Sequence, residues 1–255
     1  MHHRTREIRL GAALLEAADT LSEAFDTGRY LQRLSDHCVE LLGASAAGIM
    51  LIEGGETVSL GVSSRQQELA LDLLEVQHRG GPCLDSYGTG RPVPPVAIIA
   101  AHASSRWPDF TERALRHDVE ATFAVPLRRH ETPLGALNVF VPAEPGHPAP
   151  GGETELQLAQ VLADAAAVGL TNHRTFTQYR SLSDQLQQAL SSRVRIEQAK
   201  GMLAERWRTG TDVAFTALRQ YARRHRRPLS EVASAVVQGV EDAEGLARER
   251  PAPSQ

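Results

Sequence analysis

Apolar side chains recur at every third or fourth position in two stretches near the start of the chain, and this spacing predicts two amphipathic helices. The second stretch, residues 30–42, is followed by Gly43, a residue type that commonly ends a helix. Neither stretch approaches the roughly 18–20 consecutive apolar residues that a membrane span needs. The first stretch is residues 6–25, whose apolar positions are Ile8, Ala12, Leu15, Ala18, Leu21 and Phe25.

Shorter apolar runs follow, and their lengths and flanking residues are typical of β-strands. Two more helices are predicted between them, over residues 66–77 and 108–116. Helices that bracket an antiparallel set of strands form an α+β sandwich, in which a central sheet is flanked by helices. The predicted strands are residues 46–52, 57–62, 94–99, 119–127 and 134–141.

A segment rich in proline and glycine, residues 142–152, is interpreted as a loop within this first domain. A long helix is predicted to begin near Glu153 and to pack on its own domain through residues 158–168. The apolar stripe of that part is Leu158, Val161, Ala165 and Val168. Farther along, the spacing is typical of a coiled-coil seam in a parallel homodimer, with Asn172 in the same register as a polar residue that fixes alignment. The seam would comprise Phe176, Tyr179, Leu182, Leu186 and Ala189.

The last third of the chain predicts a compact bundle of three helices. The first ends near Trp207, the second begins at a Thr211 N-cap, and the third begins at a Ser230 N-cap. Their predicted buried faces comprise Ile196, Ala199, Leu203 and Trp207; Ala214, Phe215, Leu218 and Ala222; and Val232, Ala233, Val236, Val237 and Val240.

Length and charge add to this picture. With 255 residues and 42% hydrophobic residues, the chain suits two unequal globular domains. Its beginning lacks a signal-peptide cleavage site, and two cysteines make a disulfide framework unexpected, so a cytoplasmic protein is expected. The net charge of −4 hides a split, because residues 178–255 hold 13 Arg and Lys against 9 Asp and Glu. A basic module joined to an acidic one favours a polyanionic partner.

Basic residues of the C-terminal module lie off its predicted apolar faces, where they can contact phosphate and bases. The run 223–227 exceeds what capping of a helix C-terminus requires, although the helix dipole alone favours some of it. The third helix carries no Arg or Lys, which counts against reading duplex DNA with that helix. The candidate RNA-binding residues are Arg193, Arg195, Lys200, Arg219, Tyr221, Arg223, Arg224, Arg226 and Arg227.

The strings IEQAKGML, DVAFTALRQYA and PLSEVASAVV resemble the signature of the ANTAR family over about its whole length. The resemblance implies a module that binds paired stem-loops in leader transcripts and thereby prevents formation of a transcription terminator. It also implies packing roles for Ala199, Gly201, Phe215 and Ala222, and an RNA contact for Lys200. A glycine inside a helix costs about 1 kcal/mol relative to alanine, so Gly201 suggests close approach by a neighbour, either a helix or RNA.

The strings GGPCLDSYGTGRPV, SSRWPDFTERALRHDVEATFAVPL and PLGALNVFVPAEP resemble GAF domains of the kind that actinobacterial regulators place before ANTAR. The resemblance covers residues 30–170 and implies a small-molecule pocket between the sheet and the segments 80–91 and 99–116. The ligand stays open, and no cofactor is predicted. Histidines lack metal-ligand spacing, so no metal site is predicted. The candidate pocket residues are Cys83, Tyr87, Arg91 and Trp107.

These resemblances divide the chain into five parts and favour an antiterminator over two alternatives. One alternative is a DNA-binding regulator that uses the same basic bundle. The other is a GAF-type thiol redox enzyme, which is disfavoured because Cys38 lies on a helix and Cys83 in a glycine-rich loop; no catalytic residue is predicted. The parts are an amphipathic helix (1–28), a GAF sensor domain (29–172), a coiled-coil linker (173–191), an ANTAR domain (192–245) and a disordered tail (246–255).

Overall fold

The computed structural model describes residues 2–54, 56–142, 152–240, 245–246 and 248–249, with side chains from residue 6 onward. Contacts divide the chain into two compact units, a first unit of residues 1–176 and a second unit of residues 177–255. The predicted loop over 142–152 lies, apart from its two end residues, outside the described part of the chain. The five-part division of the chain stays a prediction.

The first unit contains all five predicted strands, each within a few residues of its expected bounds. It also contains two helices that the pattern did not predict, α4 (Pro82–Thr89) and α5 (Ile98–Ala103). Its elements are α1 (His2–Ala18), α2 (Thr27–Leu42), β1 (Ala46–Glu53), β2 (Glu56–Val62), α3 (Gln67–Glu75), a 3-10 turn (Val76–Arg79), α4 (Pro82–Thr89), β3 (Val93–Ala97), α5 (Ile98–Ala103), α6 (Pro108–Arg116), β4 (Val119–Arg129) and β5 (Thr132–Pro142), followed by the first part of α7 (Glu153–Trp207).

The five strands form one antiparallel sheet in the order β2-β1-β5-β4-β3. Alternate residues point to opposite faces of a strand, so β1 sends Ile49 to one face and Met50 to the other. On the Ile49 face, α1, α2 and α7 cover one apolar cluster. On the Met50 face, α3, α4 and α6 cover a second cluster. This arrangement confirms the α+β sandwich.

Helix α2 begins and ends where its local sequence dictates. The Asp26 carboxylate accepts a hydrogen bond from the backbone N–H of Arg29 at 2.7 Å, which satisfies one donor of the first turn. Gly43 ends the helix with a φ of 67°, a left-handed conformation that glycine adopts without steric cost. The predicted stop at this glycine is confirmed.

Helix α1 packs through a different face from the predicted one. Ala13 and Ala17 are buried against the first cluster, whereas Ile8 and Leu15 are 68% and 75% exposed. Two apolar stripes run along this helix, and the one with small residues faces inward because it lets α1 approach its neighbours closely. The predicted helix also ends earlier, at Ala18 instead of residue 25.

Helix α7 covers the sheet, as predicted, but through residues one position away from the expected stripe. Leu158 and Val168 are half-buried and Val161 is 46% exposed. Alanines dominate the buried stripe, so the helix axis can lie close to the sheet. The buried residues are Ala159, Leu162, Ala163, Ala166 and Ala167.

The second unit packs the end of α7 against α8 (Thr211–Arg224) and α9 (Leu229–Val237). The predicted N-caps are wrong by one or two residues, because Gly210 and Pro228 precede the two helices and neither bears a capping hydrogen bond. Val240 is 78% exposed and lies beyond the end of α9, since that helix stops at Val237.

Two residues of the predicted disordered tail contact the helical bundle. Leu246, its first residue, is fully buried in the apolar cluster of the second unit. Glu249 contacts α8 through an ion pair with Arg224. Burial of a leucine side chain stabilises a fold by about 1.5–3 kcal/mol, which holds this segment against the bundle. Residues 250–255 lie outside the described part of the chain.

Candidate functional site

The second unit separates its buried alanines and leucines from its arginines. Ala199, Leu203, Ala214, Leu218 and Ala222 are buried. The charges lie away from this apolar stripe, as the sequence predicted, and so present a cationic surface to solvent. The exposed arginines from the candidate set are Arg193, Arg195, Arg219, Arg223, Arg224 and Arg226, and Arg227 is half-buried.

Several candidate RNA-binding side chains already have contacts within the chain. Arg224 pairs with Glu249 at 2.6 Å, and Arg195 donates a long hydrogen bond of 3.4 Å to the Ser234 hydroxyl. The Tyr221 ring stacks on the His225 ring at a centroid distance of 4.2 Å. A ring that is stacked on a neighbour offers less surface to a base. The structure therefore makes Tyr221 a weaker candidate for stacking on an RNA base than the sequence suggested.

Lys200 contacts two other side chains of the second unit. Its ammonium contacts both carboxylate oxygens of Glu197, at 2.9 and 3.0 Å, and its side chain is only 16% exposed. It also lies 5.1 Å from the centre of the Phe215 ring, within the range of a cation–π interaction. Glu197 was not among the predicted residues, although its spacing of three from Lys200 is the helical ion-pair signal that could have found it.

Of the four expected packing residues, two lie in the described apolar cluster of the second unit and two lie outside it. Ala199 and Ala222 are buried, but Phe215 is only half-buried and is not a member of the described apolar cluster of the second unit. Gly201 is exposed, and a Cβ placed there would meet nothing within 4 Å among the described residues. Whatever approaches Gly201 is therefore not supplied by the described part of this chain.

Two shallow polar depressions lie between α7 and α9, and both include Arg195 and Ser230. One has a volume of about 530 Å³ and is lined by Asp184 and by glutamines and serines of α7. The other has a volume of about 340 Å³ and includes Arg227, Ser234 and Gln238. Hydroxyl, amide and guanidinium donors on one surface are the groups that hold phosphate oxygens in nucleic-acid complexes.

In the first unit, Cys83 does not lie in a glycine-rich loop, as the sequence suggested, but on α4. Pro82 occupies the first position of this helix, where its missing N–H costs nothing. The Cys83 backbone N–H donates to the Gln77 amide oxygen at 2.8 Å, and the thiol is fully buried. Burial raises the pKa of the Cys83 thiol far above its ordinary value, which keeps it protonated.

A buried hydrogen-bond network fills the space beside Cys83. The Gln77 amide donates to the Asn138 side-chain oxygen at 2.9 Å. Asn138 in turn donates to the Thr122 hydroxyl at 2.6 Å and to the Phe123 carbonyl at 2.8 Å. These polar groups satisfy one another, so they fix the position of α4 on the sheet and leave no donor for a ligand there.

The four candidate pocket residues fall into two places. Cys83 and Trp107 belong to the packed apolar cluster, and the Trp107 indole donates to the Asp85 carboxylate at 3.1 Å. Tyr87 and Arg91 line a surface depression of about 510 Å³. That depression also includes Arg128, His130 and Glu131 from the β4–β5 hairpin, which no sequence signal had linked to Arg91 because strand pairing alone brings them together.

The two cysteines lie on opposite faces of the sheet. Cys38 belongs to the cluster under α2, and Cys83 belongs to the cluster under α4. Burial raises the pKa of the Cys38 thiol to about 12. Two protonated thiols separated by a sheet cannot form the cysteine pair that a thiol redox enzyme of this kind would need.

Two features are absent from the described part of the chain. No group of His, Cys, Asp and Glu side chains in that part of the chain could hold a metal ion. No helix of that part is long and apolar enough to cross a membrane.

The α+β sandwich and the basic helical bundle together define the class of a two-part regulatory protein. The chain belongs to the GAF domain family, whose model matches residues 27–171, and an ANTAR domain follows at residues 184–237. This architecture supports a signal-responsive regulator of the ANTAR type, since GAF and ANTAR are regulatory domains. No curated protein matches the chain at a significant level.

Three solved structures resemble part of this chain. A free methionine-R-sulfoxide reductase from Neisseria meningitidis, in complex with its substrate, is 18% identical and covers 69% of this chain and 93% of its own, with a TM-score of 0.47. A cyanobacteriochrome TePixJ GAF domain is 19% identical, covers 62% and 97%, and has a TM-score of 0.45. A domain of a sensor histidine kinase from Sinorhizobium meliloti is 12% identical, covers 62% and 99%, and has a TM-score of 0.45. Similarity at this level carries no information about ligand or chemistry.

Proposed function

We propose that this protein is a transcription antitermination regulator, in which the ANTAR domain binds paired RNA stem-loops under the control of the GAF domain. The observation that carries the proposal is the cationic surface of the second unit, where six of the seven candidate arginines are exposed while the alanines and leucines between them are buried. ANTAR domains in general bind RNA. Exposed arginines stack on unpaired bases and grip phosphate in a fork, which fits stem-loop RNA.

RNA is preferred to duplex DNA because of the third helix of the bundle. A helix-turn-helix reader inserts a helix with polar side chains into the major groove. Here α9 presents Ser, Ala, Val and Glu side chains, and it carries no arginine or lysine. The cations lie instead on α7, on α8 and in the segment between α8 and α9, where they can hold the irregular backbone of a hairpin loop.

The GAF domain is the proposed sensor, and GAF domains in general bind small ligands. The depression beside Tyr87 and Arg91 is its candidate ligand site, since Arg128 and His130 add positive or hydrogen-bonding groups to one wall. An anionic small molecule fits these groups best. The space under α4 is a poorer candidate because side chains of the apolar cluster already occupy it.

We also propose that the active form is a parallel homodimer through α7. Large apolar side chains on the second-unit part of this helix are exposed, and they extend the predicted seam toward the ANTAR domain. Burying such residues against a second copy is the usual way to stabilise a long helix with this spacing. The exposed residues are Tyr179, Leu182, Leu186, Leu190 and Val194.

A titration of the full chain against a two-hairpin RNA and against duplex DNA of matching sequence tests RNA binding. We expect tighter binding to the RNA and a loss of roughly 3- to 30-fold for Lys200→Met, which removes one charge that contacts RNA. Arg206→Met is the matched control, because Arg206 is an exposed cation on the same helix outside the candidate set. Equal affinity for both nucleic acids would favour the DNA-binding alternative, and no binding to either would contradict the proposal.

A further inference from the structure

Phe215 is an aromatic residue that the structure leaves outside the core of its own bundle. It lies in the first turns of α8, between the buried residues Ala214 and Leu218 along the chain, yet its own side chain is half-buried. A phenylalanine that only fills a core is normally buried with its neighbours. The Phe215 ring, which is neither fully buried nor fully exposed, therefore presents part of its face or edge to the surroundings.

Two cations from different helices lie beside this ring. The Lys200 ammonium of α7 is 5.1 Å from the ring centre, and the Arg219 guanidinium of α8 is 5.7 Å from it. Glu197 holds Lys200 at 2.9 Å, so this cation is fixed relative to the ring, whereas Arg219 is exposed. An aromatic surface flanked by positive charge combines the two features with which proteins bind unpaired nucleotides.

We propose that Phe215, Lys200 and Arg219 form a stacking site for one unpaired base of a hairpin loop. The Phe215 ring would take the base, and the two cations would contact its polar edge or the adjoining phosphates. This proposal rests on the RNA binding proposed above and names the surface that performs it. It assigns Phe215 a role in contacting RNA in place of the expected packing role. It also makes this site a stronger candidate for contacting a base than the run of arginines at the end of α8.

The other aromatic side chain of α8 does not offer the same opportunity. Tyr221 packs against the apolar cluster, and its ring stacks on His225 at 4.2 Å. A base that displaced His225 would have to replace an existing contact. Tyr221 therefore serves as the internal comparison for Phe215, since both aromatic residues lie on one helix.

The local alternative is that Phe215 and Arg219 merely stabilise α8. They are four residues apart, a spacing at which side chains on a helix meet and contribute a few tenths of a kcal/mol to helix stability. Under this alternative, removing the ring changes thermal unfolding slightly and leaves RNA binding unchanged. Stability and affinity therefore separate the two explanations.

The test is a double-mutant cycle between the protein and the RNA, with the full chain and a two-hairpin RNA. Phe215→Leu, Phe215→Tyr and Tyr221→Leu are compared with the unmodified protein, and circular dichroism confirms that each variant folds. Each protein is titrated with intact RNA and with RNAs that carry one abasic position in a loop. Stacking of one base on an aromatic side chain corresponds to a loss of roughly 5- to 150-fold when the ring is removed.

We expect Phe215→Leu to weaken binding of intact RNA by about tenfold or more, within the range just given, and Phe215→Tyr to retain most of the affinity. For one of the abasic RNAs, Phe215→Leu should cause no further loss of affinity, because the base that stacks on the ring is already absent from that RNA. Two results would overturn the stacking site alone. One is that folded Phe215→Leu binds intact RNA as tightly as the unmodified protein. The other is that the loss of affinity from Phe215→Leu adds to the loss from the abasic position at every position of the loop. Failure of the unmodified protein to bind the RNA would overturn the proposed function and the stacking site together.

Discussion

At the residue scale, two glycines of α7 give opposite expectations for the same substitution. A Cβ at Gly169 would overlap the Ala17 carbonyl oxygen and crowd the Tyr30 hydroxyl, whereas a Cβ at Gly201 meets nothing within 4 Å among the described residues. The backbone at Gly169 also accepts a hydrogen bond from the Thr20 hydroxyl at 2.8 Å. Gly169 is thus a packing residue, and Gly201 is open to an external partner.

We expect Gly169→Ala to lower the free energy of unfolding of the first unit by about 1–3 kcal/mol, because the added methyl group overpacks the contact with α1. Gly201→Ala should raise the stability of the second unit by up to about 1 kcal/mol, because alanine favours the helix. Denaturant unfolding followed by circular dichroism measures both. If the Gly201→Ala protein is more stable but binds RNA or a second copy more weakly, the partner whose binding is weakened is the one that approaches Gly201. If the substitution lowers the stability of the second unit, this description of the site is contradicted.

The thiols give a second expectation at this scale. Because burial raises the pKa of the Cys38 thiol to about 12 and raises that of Cys83 as well, neither thiolate forms near neutral pH. A disulfide reagent such as dithiobisnitrobenzoate should react slowly with the native protein between about pH 7 and 9 and rapidly with both cysteines after unfolding. Rapid reaction of one thiol in the native protein would revive the redox alternative.

Individual side-chain roles were the hardest feature to predict from the sequence. The sequence correctly predicted that Ala199 and Ala222 are buried, since apolar residues at helical spacing face a core. It could not predict that Phe215 lies between two cations, because the position of Lys200 depends on how α7 and α8 cross. The hairpin residues beside Arg91 were missed for the same reason.

At the element scale, the exposed apolar side chains of α7 predict how the protein associates. Leu186 is 58% exposed, and Gln188 on the same helix is also exposed. We expect Leu186→Glu to shift a dimer toward monomer, because it places like charges opposite each other in the seam, while Gln188→Glu leaves the mass unchanged. Light scattering coupled to size-exclusion chromatography measures the mass. A monomeric unmodified protein at micromolar concentration would contradict the homodimer.

The strands were predicted almost to their ends, because runs of apolar β-branched residues bounded by polar turns have few other solutions. Two helices were missed. Helix α4 has glycines at its boundary and inside it, and α5 has only six residues, so neither shows a helical period. The buried face of α1 was also predicted wrongly, since that helix has two apolar stripes and only tertiary packing selects one.

At the scale of the whole molecule, the two units differ in the sign of their charge. The chain carries −4 overall, yet residues 178–255 hold an excess of Arg and Lys. We expect the logarithm of the RNA affinity to fall linearly with the logarithm of the salt concentration, with a slope of roughly −0.7 to −0.9 for each phosphate neutralised. Lys200→Met should reduce the slope by about that amount, and Arg206→Met should not. Titrations at several salt concentrations measure this, and a slope near zero would contradict phosphate contacts.

The sequence predicted the order of the two domains and their classes, and the matches at residues 27–171 and 184–237 confirm them. It could not predict how a signal reaches the RNA-binding surface. A ligand can shift an equilibrium only through its different affinities for two states of the protein. Ligand binding by the depression beside Arg91 is therefore expected to alter RNA affinity only if it also alters the state of α7.

The most direct measurement is transcription in vitro from a template whose leader carries two hairpins, the second overlapping a terminator. We predict that adding the protein increases the fraction of transcripts that extend past the terminator, and that Lys200→Met needs roughly 3- to 30-fold more protein for the same effect. Arg206→Met should act like the unmodified protein. Unchanged termination at protein concentrations that saturate the RNA would show binding without antitermination and would contradict the function proposed for this protein.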